Sequence, residues 1–139
     1  MKVQFIVRGE PRGKGRHRTF RRGDKLIQKT PEDTAVYENL IRVEYARQCG
    51  GVKFEAGVML DLRIRAYCSI PASVSAKKKK AMEDGEVRPT KRPDADNILK
   101  SVADGLNKVA YHDDAQIVDT QIRKFYSHDP RLEVSIQSI

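Results

Sequence analysis

The chain has 139 residues, 33% charged and 39% in the broad apolar set, enough for one domain over 1–139 and hardly for two. No run approaches the roughly 18 apolar residues of a membrane span, and the opening MKVQFIVRGE turns polar too soon for a secretory leader, so a soluble, cytoplasmic protein is expected. Residues 1–30 carry ten Lys/Arg against two Asp/Glu while residues 31–139 carry seventeen of each, so the net +8 sits in the first 30 residues and points to a polyanionic partner, most commonly nucleic acid.

Val3, Phe5 and Val7 alternate with mostly polar neighbours, which predicts a first strand over 2–8. From Gly9 to Lys29 four glycines, a proline and nine basic residues, counting His17, accompany only three large apolar side chains. Such a stretch cannot cover a core and reads as a long basic loop. Its Arg12, Lys14, Arg16, Arg18, Arg21 and Arg22 are candidate phosphate contacts, expected to be mobile until nucleic acid orders them. Thr30-Pro31-Glu32-Asp33 reads as a helix start, with a threonine cap, proline at the first position and acids facing the positive end of the dipole. Val36, Leu40 and Val43, with Tyr37 and Ile41 beside them, carry a helical stripe that Gly50-Gly51 ends.

Residues 58–68 alternate without a fault and predict a second strand. A basic excursion over 71–91 contains a short helical candidate near Ser75 to Met82, bearing Lys77, Lys78, Lys79 and Lys80, further candidate phosphate contacts. Ile98, Leu99, Val102, Ala103, Leu106 and Val109 mark an amphipathic helix over 97–109, weakened by Gly105. Strands at about 115–126 and 131–138 follow. The expectation is an α+β fold, a mixed sheet of about four strands with two main helices, in the order β-α-β-(short α)-α-β-β.

Six aspartates and two lysines lie between Asp94 and Asp119, a strongly acidic stretch in a basic protein. Asp94 and Asp96 stand just before the helix, Asp113 and Asp114 just before a strand; taken singly, each pair reads as a cap or a turn. If the helix brings the pairs together, four carboxylates repel one another unless a cation compensates. Hard oxygen ligands select Mg²⁺ or Mn²⁺, and a carboxylate-held ion beside phosphate-gripping segments suits phosphodiester hydrolysis. Lys100, one turn after Asp96, is either its ion-pair partner or a cation for charge developing on phosphate. Gly9, Gly13 and Gly15 miss the spacing of a phosphate loop, so no nucleotide cofactor is expected. His17, His112 and His128 share no ligand spacing with other candidates, and Cys49 and Cys68 read as reduced core residues.

The stretch RPDADNILKSVADGLNKVAYHDDAQIVD (92–119) resembles the signature of the RusA family of Holliday junction resolvases, in which D-x-D-N opening a helix precedes a lysine and then D-D-A-Q. Lys14-Gly15-Arg16, Thr30-Pro31 with Tyr37-Glu38, and Pro71 with Ser75 and the lysine run resemble its phage-type branch. The resemblance implies a homodimeric, Mg²⁺-dependent endonuclease that resolves four-way DNA junctions by paired nicks. It places metal ligands on Asp94, Asp96 and Asp114, with Asp113 less direct, and a functional lysine on Lys100. The alternative is a junction-binding protein of the same fold that turns nothing over. An RNA-binding module is disfavoured by the absence of an aromatic stacking motif.

Overall fold

The computed structural model describes residues 1–15, 18–29 and 32–139, with 18–22 and 26–29 described through their backbone pairing alone. In chain order come strands β1 (Lys2–Arg8), β2 (Arg18–Arg22) and β3 (Lys25–Lys29), helix α1 (Glu32–Cys49), strand β4 (Leu60–Ser69), helices α2 (Ala76–Glu83) and α3 (Ala95–Leu106), a 3₁₀ turn (Asp114–Gln116), and strands β5 (Ile117–Ser127) and β6 (Arg131–Ser138). The main sheet has the spatial order β1-β6-β4-β5, with β4 and β5 parallel and the other neighbours antiparallel. The architecture is α+β with an open mixed sheet, as expected.

A parallel pair needs a crossover, and here α2 and α3 supply it. The chain must travel back along the sheet to begin β5, so α3 starts beyond the C-terminal end of β4 and finishes near the start of β5. The inward rows of the strands make the core: Leu60, Leu62, Ile64 and Ala66 of β4, Leu132, Val134 and Ile136 of β6, with Phe5 and Val7 of β1. Ile98, Val102 and Leu106 of α3 cover them, together with Tyr37, Ile41 and Tyr45 of α1. No helix among the described residues is long and apolar enough to cross a membrane. Cys68 is buried and Cys49 half-buried, both free thiols.

Three sequence expectations are corrected. The segment read as a loop over 9–29 contains a hairpin: β2 and β3 pair from Arg18↔Lys29 to Arg22↔Lys25 around a two-residue connection, Gly23-Asp24. Gly23 has φ of +64°, as the first central position of a type II′ turn requires. A Gly-Asp pair between two five-residue runs was the available signal, masked by charge on both runs.

The second correction concerns α1, whose predicted stripe faces solvent. Val36, Leu40 and Val43 are exposed, whereas Thr34, Tyr37, Ile41 and Tyr45 are buried. The helix carries two competing stripes about 100° apart, and the larger ring area of Tyr37 and Tyr45 wins the core. Tyr45 packs edge-on against Phe5 at 5.3 Å and its hydroxyl donates to Val52 O at 2.6 Å. Third, Gly105, read as a weakness in α3, has a packing role. A Cβ there would lie 3.3 Å from Glu38 O and from Ile41, so the glycine allows α1 and α3 to approach. The cap expected at Thr30 and Pro31 lies outside the described residues.

Candidate functional site

Asp94 is the N-cap of α3 by backbone geometry (φ −70°, ψ 150°), yet its side chain makes no capping hydrogen bond. A carboxylate that does not cap therefore stands at a helix N-terminus, favoured by the dipole. Asp96 follows in the first turn, exposed, and Lys100 is exposed one turn later. Among the described residues Lys100 forms no salt bridge, so the ion pair with Asp96 that its spacing permits is not made.

Residues 12–15 dock against α3 and α1. Lys14 N donates to Asn97 O at 3.0 Å, Ser101 Oγ to Arg12 O at 3.2 Å, and Gly15 N to Thr34 Oγ1 at 2.9 Å. Gly13 makes this possible: a Cβ there would sit 2.9 Å from Asn97 Cβ and 3.2 Å from Pro93 Cβ. This glycine serves close packing against α3. Lys14 turns inward. Its ammonium binds Asp104 and lies 3.3 Å from Glu38 Oε1, with only 19% of its side chain exposed. Burial pulls its pKa down, but the bonds to Asp104 and Glu38 outweigh that and leave it raised. The lysine read as a phosphate contact is thus held by carboxylates of its own chain. Between this loop and α3 opens a cleft of about 820 Å³, lined among others by Arg12, Asp33, Thr34, Arg92, Asp94 and Asn97.

At the other end of α3 the D-D-A-Q segment is largely a structural clamp. Asp113 caps the 3₁₀ turn by accepting from Ala115 N at 3.1 Å. Gln116 Oε1 accepts from His112 N and Asp113 N while its amide donates to Glu55 O and Val58 O. The Ala115 N–H, then a hydrogen bond with Asp114, holds Asp113 below the usual carboxylate range. Asp114 is pushed the other way, first by burial, then by Asp113 and the charge of Asp104. Asp104, counted in the acidic stretch but given no role by sequence, thus links the loop lysine to the D-D corner.

The two acidic pairs do not converge within the chain. Twelve residues of α3, about 18 Å at 1.5 Å each, run between the two ends. Among the described residues no three His, Cys, Asp or Glu side chains are grouped to hold a metal. The helix that was expected to bring the pairs together keeps them apart, because α3 lies along the sheet instead of across one end of it.

Lys77, Lys78, Lys79 and Lys80 are all exposed on α2, which buries Met82 and is capped by Ser75. Arg12 is exposed beside the cleft. Arg16 and the side chains of Arg18, Arg21 and Arg22 lie outside the described residues. His128 pairs with Glu83 at 2.7 Å and His112 is exposed, away from Asp94. Sequence reasoning missed Arg92, exposed at the cleft, though its place two residues before Asp94 was a usable signal.

The profile of the family described as Endodeoxyribonuclease RusA matches residues 8–137. The chain is 36% identical over 139 residues to "Uncharacterized protein YqaN" of Bacillus subtilis (strain 168), covering 99% of this chain and 96% of that one. It is 32% identical over 87 residues to "Crossover junction endodeoxyribonuclease rusA" of Lactococcus phage r1t, covering 62% of this chain and 60% of the phage protein.

Proposed function

The chain belongs to the RusA family of endodeoxyribonucleases, and from that premise we propose that it resolves four-way DNA junctions by paired nicks, as a homodimer using Mg²⁺ or Mn²⁺. The observation that carries this reading is the Asp94 carboxylate, placed at a helix N-terminus beside Arg92 and a cleft, and making no capping hydrogen bond to its helix. An aspartate in a capping position that does not cap is open to an external ligand.

The donor set fits a hard divalent ion. Asp94 and Asp96 would hold it, with water and a substrate phosphate completing the shell, since Mg²⁺ commonly takes only one or two protein carboxylates. Asp114, at the far end of α3, would join them from the second chain of the homodimer, while Asp113 shapes its turn. A bound ion would supply a water activated for attack and neutralise charge on the phosphate. Arg92 and Arg12 would orient the backbone at the cleft, and Lys100, free of any internal partner among the described residues, would meet charge developing in the transition state. Lys77, Lys78, Lys79 and Lys80 would grip flanking phosphates, as would the arginines of the β2–β3 hairpin.

The separation of the two acidic pairs favours, as a second reading, a DNA-binding protein without turnover. A cleavage assay on a synthetic four-way junction, a flap and a linear duplex, each with Mg²⁺ and with EDTA, tests both. Symmetric, metal-dependent nicks in the junction are expected. Junction binding with no nick in any substrate would overturn the nuclease reading in favour of the second.

A further inference from the structure

Helices α1 and α3 pack on one face of the main sheet. Its outward row on β4 is Asp61, Arg63, Arg65 and Tyr67, and the registered partners on β5 are Asp119, Gln121, Arg123 and Phe125. Arg65 and Arg123 are therefore side-by-side cations on strands about 4.8 Å apart, both exposed. Like charges in direct register destabilise a sheet. Asp61 binds Arg63 at 3.2 Å, and Glu133, in register with Arg65 on β6, binds Arg131 at 2.9 Å, so neither makes a salt bridge to Arg65 or Arg123. Asp119 lies two rows away, in register with Asp61.

The next row fixes a third cation. Arg131 stacks on Tyr67 at 4.0 Å, Tyr67 on Phe125 at 5.4 Å, and Arg88 on Phe125 at 4.4 Å. Arg88 Nε donates to Lys124 O at 2.7 Å, so its guanidinium is held beside Arg123 at the free edge of β5. Arg65, Arg88 and Arg123 have no carboxylate partner among the described residues. Beside them runs a groove of about 680 Å³ whose polar lining is Lys2, Gln4, Gln48, Gln121 and Ser135 with Arg63, Arg65 and the Arg131-paired Glu133. Arginine with neutral amide and hydroxyl donors is the chemistry that contacts a nucleic-acid backbone. Rows 63 to 67 carry no exposed large apolar side chain, whereas a stable protein interface needs an apolar centre.

We infer that Arg65, Arg123 and Arg88 form a phosphate-binding patch on the face of the sheet opposite α1 and α3, which holds a second segment of DNA apart from the one at the α3 cleft. The inference rests on the reading that the protein acts on DNA. It gives a role to two cations that form no salt bridge among the described residues.

The test is the affinity of the full chain for a labelled four-way junction in EDTA across a salt series, for wild type, for Arg65→Ala with Arg123→Ala, and for Arg65→Lys with Arg123→Lys. The double alanine variant is expected to bind at least tenfold more weakly at low salt, with the slope of log K against log salt flattened by about 2 units, at about 0.9 per lost contact. The double lysine variant should keep the wild-type slope. A double alanine variant that matches a DNA-binding wild type overturns the patch alone. One that loses affinity by dissociating to monomers in light scattering also overturns it, since the face would then join two copies. A wild type that binds no DNA overturns the patch and the functional reading together.

Discussion

Asp94 and Asp113 look alike in the sequence, each an aspartate before a structured segment, and the structure separates them by what their oxygens do. Asp94 makes no capping bond, so Asp94→Asn should abolish nicking of a junction and leave the melting temperature unchanged. Asp113 caps its turn, so Asp113→Ala should lower the melting temperature. Asp96→Asn and Asp114→Asn should each abolish cleavage with junction binding kept or tightened, because a negative charge facing phosphate is lost; full activity in either would sink its assignment. Lys14 and Lys100 differ in the same way. Lys14→Met strands Glu38 and Asp104, so thermal stability should fall with the salt slope of DNA binding unchanged. Lys100→Ala should reduce turnover far more than affinity. Burial pushes the Tyr45 phenol from 10.0 up to about 12, and Tyr37 likewise to about 12. The unfolded phenols lose their protons first, so stability is complete below pH 10 and falls as pH rises from 10 to 12. Tyr45→Phe forfeits the bond to Val52 O, worth about 1 kcal/mol at neutral pH. Urea melts at increasing pH should show its deficit against wild type shrinking across that interval.

Among the elements, α1 offers the cleanest contrast. Ile41 is fully buried against α3, and Ile41→Ala should cost about 2 to 5 kcal/mol. Val43→Ala, on the stripe that periodicity favoured, should change stability by less than about 0.5 kcal/mol. Equal costs in urea denaturation would mean that the helix is rotated from its described setting. Gly105→Ala opposes two principles. Helix propensity alone predicts a gain of about 1 kcal/mol, but the new Cβ at 3.3 Å from Glu38 O and Ile41 must push α1 away, and overpacking costs about 1 to 3 kcal/mol. A net loss is expected, because backbone and a branched Cβ cannot yield as the end of a flexible side chain can.

For the whole molecule, paired nicks require two active sites related by symmetry, which a C₂ pair of identical chains supplies. Light scattering at assay concentrations should give twice the 15.8 kDa chain mass. A monomer would count against paired resolution and against ligands shared between chains. The exposed Val36, Leu40 and Val43 and the arginines of the outward β4–β5 rows are separate surfaces, so loss of dimerisation and loss of DNA affinity can be scored independently.

Strand β4, the order of the main elements and the acidic segment at 94–119 were legible in the amino-acid sequence, because alternation and clustered charge are local properties. The residues carrying the family resemblance were legible for the same reason. Which stripe of α1 is buried was not, since two stripes on one helix compete and only the partners Phe5 and Gly105 decide between them. The hairpin at 18–29 was hidden because its strands carry charge where a strand signal needs apolar alternation; backbone pairing around Gly23-Asp24 makes it instead. The inward turn of Lys14 and the separation of Asp94 from Asp114 depend on how a loop and a helix lie on the sheet. These are distances through space between residues far apart in the chain, and only the packed arrangement of α1, α3 and the sheet sets them.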